Sequence, residues 1–176
     1  MAQNRITPRD HELVMRDEDF IVSKTDTKGR ITYANQVFIE FSGFAESEFI
    51  GKQHNVIRHP DMPRAVFKLL WDHIQSGKEI FAYVKNICKD GSYYWVIANV
   101  TPSVDDGGRV VGYYSVRRKP NPKAIHVISG LYRQMLAIEQ QAGARDAIEA
   151  STRHLQGLLD EKAMTYEQFI LDLQAA

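Results

Sequence analysis

The chain has 176 residues, of which 44% are hydrophobic and 25% charged, a composition that predicts a packed core and excludes a largely disordered chain. Lys and Arg together number 22, as do Asp and Glu, and this balance argues against nucleic-acid binding, for which a basic excess is typical. The single cysteine, Cys88, rules out an internal disulfide, and neither an N-terminal apolar segment nor a run of about 20 apolar residues is present, so we expect a cytoplasmic protein without membrane insertion.

Composition divides the sequence into three parts. We predict an N-terminal cap segment over residues 1–17, a mixed α/β domain over residues 18–119 and a helical tail over residues 120–176. Gly, Pro, aromatic and β-branched residues are frequent before residue 120, whereas Ala, Gln, Glu, Leu and Arg dominate after it. The second composition is typical of helices that present one apolar stripe.

The domain begins with a hairpin and continues into short helices. Two short apolar runs, Phe20–Thr25 and Arg30–Ala34, flank a turn that ends at Gly29, a residue suited to a positive φ. Between residues 35 and 51, phenylalanines recur three apart and glycines interrupt them, which predicts short helices. Residues 53–63 hold two prolines, two histidines, an arginine and an aspartate, and we expect a structured loop there.

A longer helix follows this loop. We predict it from about Met62 to Gln75, with Asp61 as the N-cap and Pro63 in the first turn, where proline is tolerated. Gly77 is suited to end it. The apolar side chains of this helix recur at helical spacing and form a single face, Phe67, Leu70, Trp71 and Ile74.

Three further strands are predicted after this helix, Ile80–Lys89, Tyr93–Pro102 and Val110–Arg118. Short turns rich in Asp and Gly join them, which indicates neighbouring antiparallel strands. The element order therefore predicts an α+β fold, in which short helices pack on one face of a five-stranded antiparallel sheet.

Strand alternation assigns side chains to the two faces of this sheet. Ile80, Ala82, Val84 and Asn86 share one face, which we expect to form the wall of a pocket. Trp95 and Ile97 point to the opposite, outer face. An apolar outer face needs a cover, which either the tail or a second subunit would supply.

The tail is predicted to form three amphipathic helices. The second helix carries a weak stripe, and the third begins with a capping box formed by Thr165 and Gln168. The first stripe is too apolar to stand in water, so it must fold onto its own sheet or pair with a second copy, and we predict a homodimer. That first stripe consists of Ile125, Ile128, Leu131, Met135 and Ile138.

Three sequence segments resemble one family of sensory domains. Residues 31–35 with 41–44 resemble the second strand and first helix of PAS domains, and residues 86–95 resemble the hairpin of flavin-binding PAS and light-oxygen-voltage domains. The most specific segment, His54 to Pro63, resembles the PAS domains of bacterial aerotaxis receptors. This resemblance, over about residues 20–118, implies the PAS fold, bound FAD rather than FMN, and a sensor of redox state.

The resemblance also implies roles for individual residues. The Asn86 amide can both donate to and accept from the polar pyrimidine edge of a flavin. Arg58 offers a planar fork for a phosphate or for Asp61. His54 lies where light-oxygen-voltage domains carry their reactive cysteine, so no cysteinyl adduct can form there. His59 is expected to stack on the cofactor or to hydrogen-bond with it.

Three further candidates have a structural reading beside the cofactor role. Trp71 serves either as a pocket wall or as a core residue of its helix. Asp61 serves either at the flavin or as a helix cap. Asn35 is a candidate contact, although capping the first short helix explains it as well. The sequence also departs from aerotaxis receptors at Ile80, where they carry a tryptophan.

The predicted function is a redox- or oxygen-responsive sensor that binds FAD and signals by protein–protein contact, in aerotaxis or energy taxis. Its expected partners are a second copy of itself and a downstream chemoreceptor or kinase. The alternative is a cofactor-free PAS module for dimerisation or docking, and a haem-binding PAS domain ranks third. We expect no enzyme and no metal site, because the sequence contains no nucleophile elbow, phosphate-binding loop, dinucleotide motif or metal-ligand spacing.

Overall fold

Five strands form one antiparallel sheet in the computed structural model, which describes residues 6–176. The strands are β1 (Ile21–Thr25), β2 (Ile31–Ala34), β3 (Ile80–Ile87), β4 (Tyr93–Val104) and β5 (Val110–Arg118). Their order is β2-β1-β5-β4-β3. The β1–β2 hairpin forms one side of the sheet and the consecutive strands β3, β4 and β5 form the other, and the two parts join where β5 pairs with β1. The predicted α+β architecture is confirmed.

Short helices connect β2 to β3 and pack on one face of the sheet, which we call the inner face. They are α1 (Gln36–Ser42), α2 (Glu46–Phe49), a single 3-10 turn (His54–Ile57) and α3 (Arg64–Gln75). The core between these helices and the sheet includes Ile21, Phe38 and Phe49, all of which are fully buried.

The start of α3 corrects one prediction. Asp61 is not its N-cap: the helix begins at Arg64, and Pro63 is the capping residue without a side-chain hydrogen bond. The acceptors for the first amides come instead from Glu139, which is 75 residues away from Arg64. The sequence pattern indicated Asp61 as a local cap, because the Glu139 carboxylate comes close to α3 only when the chain is folded. Asp61 pairs with Lys85 instead, at 2.6 Å.

The tail forms three helical segments, as predicted. The first two belong to one long element, α4 (Pro122–Glu161), which breaks at Gly143, where φ is 75° and ψ is 172°. Only glycine adopts this conformation readily, so a single residue reverses the chain. A hydrogen bond between His154 and Gln134 (3.2 Å) joins the two halves. The third segment is α5 (Tyr166–Ala175), opened by the predicted capping box.

The tail covers the outer face of its own sheet. Trp95 of β4 lies 6.2 Å from Tyr132 of α4, measured between ring centres. The Tyr132 hydroxyl donates to the Tyr83 carbonyl at 2.8 Å, and the Tyr83 hydroxyl donates to Gln174 at 3.1 Å. Of the two covers considered for the first stripe, the intramolecular one is therefore formed. The homodimer stays a prediction, but the first stripe of the tail does not need a second copy to be covered.

The N-terminal segment lies against the hairpin of β3 and β4. Leu13 donates to the Tyr93 carbonyl at 2.8 Å, and Tyr93 donates to His11 at 2.9 Å. Residues 1–5 of the predicted cap segment lie outside the described residues. Within residues 6–176, no helix combines the length and apolar character needed to cross a membrane.

Candidate functional site

A cavity of about 230 Å³ lies between α3 and the inner face of the sheet. Ligand sites commonly measure about 300–1,000 Å³, so this one would hold part of a larger ligand, such as a planar ring system. The polar part of its lining is drawn from β1, β3, β5 and the loop before α3. These polar residues are Ser23, Thr25, Gln53, His54, Asn55, Arg58, Asn86, Tyr113, Ser115 and Arg117.

The apolar walls of the cavity face each other. One wall is the predicted stripe of α3, and the other is formed by strand residues Val84, Ala98 and Val100. Trp71 belongs to the α3 wall and meets Tyr113 edge-on, with 5.5 Å between ring centres. Apolar walls with a flat aromatic on one side are suited to a planar ring.

Three buried polar atoms on this lining have no hydrogen-bond partner. They are Nδ2 of Asn86, Oγ of Ser115 and one terminal guanidinium nitrogen of Arg117. Their residues are 3%, 8% and 4% exposed, respectively. A buried donor without a partner costs about 1–3 kcal/mol. Three such atoms around one cavity therefore indicate a binding site for a polar group of a ligand.

Arg117 is fixed by two neighbours on the cavity wall. One terminal nitrogen donates to Ser23 Oγ at 2.8 Å and contacts His54 Nε2 at 2.6 Å. Because a guanidinium can only donate, Nε2 must accept, which places the His54 proton on Nδ1. The second terminal nitrogen stays without a partner. Ser23 and His54 thus hold the cation in place and leave its other donor free.

The charge state of this cluster is set by burial. Burial, together with the charge of Arg117, lowers the pKa of His54 to about 3, so the imidazole is neutral at physiological pH. Burial lowers the pKa of Arg117 to about 10, so the guanidinium remains charged. Among the described residues that line the cavity, two are arginines and none is Asp or Glu. The site therefore favours a ligand with negative charge.

Arg58 lies in the loop before α3, on the rim of the same cavity. Its guanidinium stacks over the Phe67 ring at 4.2 Å and donates to the Met62 carbonyl at 2.9 Å. Its backbone also pairs with Asn86 in an isolated antiparallel bridge. The Arg58 head group does not hold Asp61, which was one of its two predicted partners.

Of the seven predicted site residues, the structure brings Asn86, Arg58, His54 and Trp71 to the cavity and leaves three elsewhere. Asn35 caps α1, accepting from Phe38 at 3.1 Å and Val22 at 3.0 Å. Its amide also donates to the Phe20 carbonyl, so these hydrogen bonds serve the local fold, and Asn35 does not line the cavity.

His59 and Asp61 lie on the far side of the loop from the cavity lining. His59 is buried beside Tyr93, with 5.8 Å between ring centres, and its Nδ1 accepts from the Asp61 amide. Asp61 has a 59% exposed side chain that pairs with Lys85. Their position on the opposite side of the Arg58 backbone explains why sequence proximity misleads here.

Sequence reasoning missed Arg117 and Ser115. Both follow from a signal that was available: alternation along β5 places Tyr113, Ser115 and Arg117 on the same face. An arginine on the inward face of a strand is rare unless something pairs with it. The neighbouring Arg118 is exposed, and two consecutive arginines at the end of a strand suggest a solvated pair rather than one buried cation.

Cys88 is not a reactive thiol. It is 3% exposed, and its Sγ donates to the Phe41 carbonyl at 3.0 Å. Burial, with a contribution from Asp90, raises the pKa of this thiol to about 12. Cys88 is therefore a small buried residue of the core.

Acid is expected to destabilise the cofactor-free protein through His54. The unfolded histidine takes up a proton near pH 6.5, whereas the folded one resists until about pH 3, so stability present above pH 6.5 is lost as pH falls. Between pH 7 and pH 5, the titration of His54 should lower the free energy of unfolding by up to about 2 kcal/mol. His54→Gln should remove that part of the loss in urea titrations at the two pH values.

The exposed His126→Gln is the matched control for this experiment and should retain the acid sensitivity of the wild-type protein. An equal loss between pH 7 and pH 5 in His54→Gln and wild type would show that His54 does not titrate as described. Burial and the charge of Lys85 also lower the pKa of His59, to about 4, so part of the loss should remain.

Comparisons with known proteins agree with this architecture. The family described as PAS fold matches residues 31–117. The aerotaxis receptor of Escherichia coli (strain K12) is 37% identical over 123 residues, which cover 70% of this chain and 24% of that receptor. Phototropin-2 of Oryza sativa subsp. japonica is 28% identical over 101 residues, which cover 57% of this chain and 11% of phototropin-2.

A solved light-oxygen-voltage domain, from a study with a flavin analogue, superimposes with a TM-score of 0.55 at 24% identity. The superposition covers 62% of this chain and 82% of that domain, and at this identity it speaks for the fold alone. The chain spans about a quarter or less of the two curated relatives. The sheet order and the family match together identify residues 31–117 as part of a PAS domain, and the chain is similar to a segment of the aerotaxis receptor.

Proposed function

We propose that this PAS domain binds a flavin, FAD by resemblance, in the cavity between α3 and the sheet, and signals the flavin's redox state by protein–protein contact. One observation carries the proposal: the unpaired buried atoms of Asn86, Ser115 and Arg117 face one apolar-walled cavity. A flavin ring system is flat and apolar on its faces and polar along one edge. Such a ligand matches both features of the cavity.

The charges of the lining support an anionic cofactor. Arg117 is a buried cation without a carboxylate partner, and Arg58 lies at the rim. A flavin nucleotide carries phosphate and gains electron density at its polar edge when it is reduced. Arg117 would stabilise negative charge at that edge, and Arg58 is placed for a phosphate or a carbonyl group.

The residues around the cavity determine how a change in charge is received. A bound flavin supplies one- or two-electron redox chemistry. His54 is neutral and donates no proton through Nε2, because that atom accepts from Arg117. Arg117 therefore meets added negative charge directly, and movement of its guanidinium is transmitted to Ser23 of β1 and to His54 of the loop.

Signal output is proposed to run through the tail. The outer face of the sheet contacts α4 and α5 through Trp95, Tyr83 and Tyr132. A shift of β3 or β4 would change these contacts, and a downstream chemoreceptor or kinase would read the change. The proposed role is sensory rather than enzymatic.

The proposal is tested by the visible spectrum of the purified protein and of protein incubated with FAD. We expect bound, non-covalent flavin with absorption near the roughly 450 nm typical of the oxidised cofactor, identified by mass spectrometry after release. Blue light should give no long-lived cysteinyl adduct, since the corresponding position is His54. Colourless protein that also fails to take up FAD or FMN would contradict the proposal and favour the cofactor-free docking module.

A further inference from the structure

The first turn of α3 is held by one carboxylate of the tail. Glu139 is only 7% exposed, and its two oxygens accept from the Arg64 amide at 3.0 Å and the Ala65 amide at 3.0 Å. An α-helix leaves its first amides without internal partners, and its positive end favours negative charge there. Since Pro63 offers no side-chain acceptor, the tail completes this helix end.

The same turn borders the cavity on its other side. Arg58 donates to Met62 and stacks over Phe67, which is a lining residue of α3. The Arg58 backbone pairs with Asn86, whose amide faces the cavity. The cavity and the tail therefore act on one short segment, residues 58–67.

Electrostatics couples the two sides as well. Burial lowers the pKa of Arg58, and the negative charge of Glu139 opposes that shift. Glu139 is thus within electrostatic reach of an arginine of the cavity rim. The tail also packs against α3 more broadly, and Glu139 supplies two hydrogen bonds in that contact, at the helix that forms the cavity wall.

We propose that Glu139 is a positioning residue for the flavin site and couples cofactor binding to docking of the tail. This inference rests on the proposed function. Coupling of this kind is reciprocal. If bound cofactor strengthens the Glu139 contact by some factor, loss of that contact must lower the affinity for the cofactor by the same factor. Couplings between sites commonly amount to about 5- to 150-fold.

The experiment compares the wild-type protein with Glu139→Ala, Glu139→Gln and the control Glu149→Ala. Glu149 lies on the same element, is exposed and pairs with Arg153 at 3.6 Å. FAD dissociation constants are measured by quenching of flavin fluorescence, and hydrogen exchange is followed in α3 and α4 with and without FAD. Circular dichroism establishes that each variant is folded.

We expect Glu139→Ala to weaken FAD at least about 5-fold and to lose the FAD-dependent protection of α4. Glu139→Gln retains one carbonyl acceptor and should fall between Glu139→Ala and wild type, while Glu149→Ala should match wild type. Unchanged FAD affinity in both Glu139 variants, or FAD-dependent protection of α4 that persists in them, would overturn the inference alone. Failure of wild type to bind FAD would instead contradict the proposed function and the inference with it.

Discussion

Replacing Arg117 by Met is expected to stabilise the cofactor-free protein and to weaken FAD binding. The cofactor-free protein bears a buried guanidinium with one unpaired nitrogen and no carboxylate partner, and removing it should raise the free energy of unfolding by about 1–3 kcal/mol. Ser23 and His54 keep their mutual contact of 3.1 Å. The cofactor would lose a hydrogen bond to a charged group, worth about 1.5–3 kcal/mol, or roughly 10- to 150-fold in affinity.

Opposite effects on stability and affinity are the signature of a ligand-binding residue rather than a core residue. Urea titrations of cofactor-free protein and FAD titrations measure the two. Arg118→Met is the matched control, because Arg118 is the next residue on β5 and is exposed. A variant Arg117→Met that loses stability and binds FAD as wild type does would assign Arg117 to the core.

Replacing Asn86 by Ala is expected to weaken FAD by about 5- to 150-fold, the equivalent of about 1–3 kcal/mol for a buried polar edge left without its partner. Asn86 is 3% exposed, and its Nδ2 on the cavity lining has no hydrogen-bond partner in the cofactor-free protein. Fluorescence titration with FAD gives the affinity.

Asn99→Ala provides the control for this substitution. Asn99 is paired with Glu79 at 2.9 Å and lies on the opposite face of β4 from the cavity residue Ala98. It should bind FAD with wild-type affinity. Equal affinity in Asn86→Ala and wild type would show that Asn86 serves the fold alone.

Local sequence signals predicted the elements of this fold. Hairpin turns, a capping box at Thr165 and apolar periodicity in α3 each depend on residues close together in the chain, so their physics is visible in the sequence. The start of α3 was predicted wrongly for the opposite reason. Glu139, which accepts hydrogen bonds from the first amides of α3, belongs to α4. That helix begins at Pro122, 58 residues after α3 begins at Arg64.

The candidate site was predicted in part. Asn86, Arg58, His54 and Trp71 reach the cavity, because motif similarity carries information about tertiary position. The charge that dominates the site was missed, since Arg117 has no distinctive local pattern and gains its meaning from Ser23 and His54, which lie 94 and 63 residues away. The sequence also left open whether the tail or a second subunit packs on the outer face. Strand alternation identifies this face as apolar, but which element packs on it is determined by the tertiary fold.

A crystal structure of the FAD-loaded protein would locate the cofactor directly. We expect the flavin ring between α3 and the sheet, with its polar edge within hydrogen-bond distance of Asn86 and Arg117. Electron density for the ring outside this cavity, for instance in the groove between Glu12, Lys85 and Tyr132 under the tail, would contradict it.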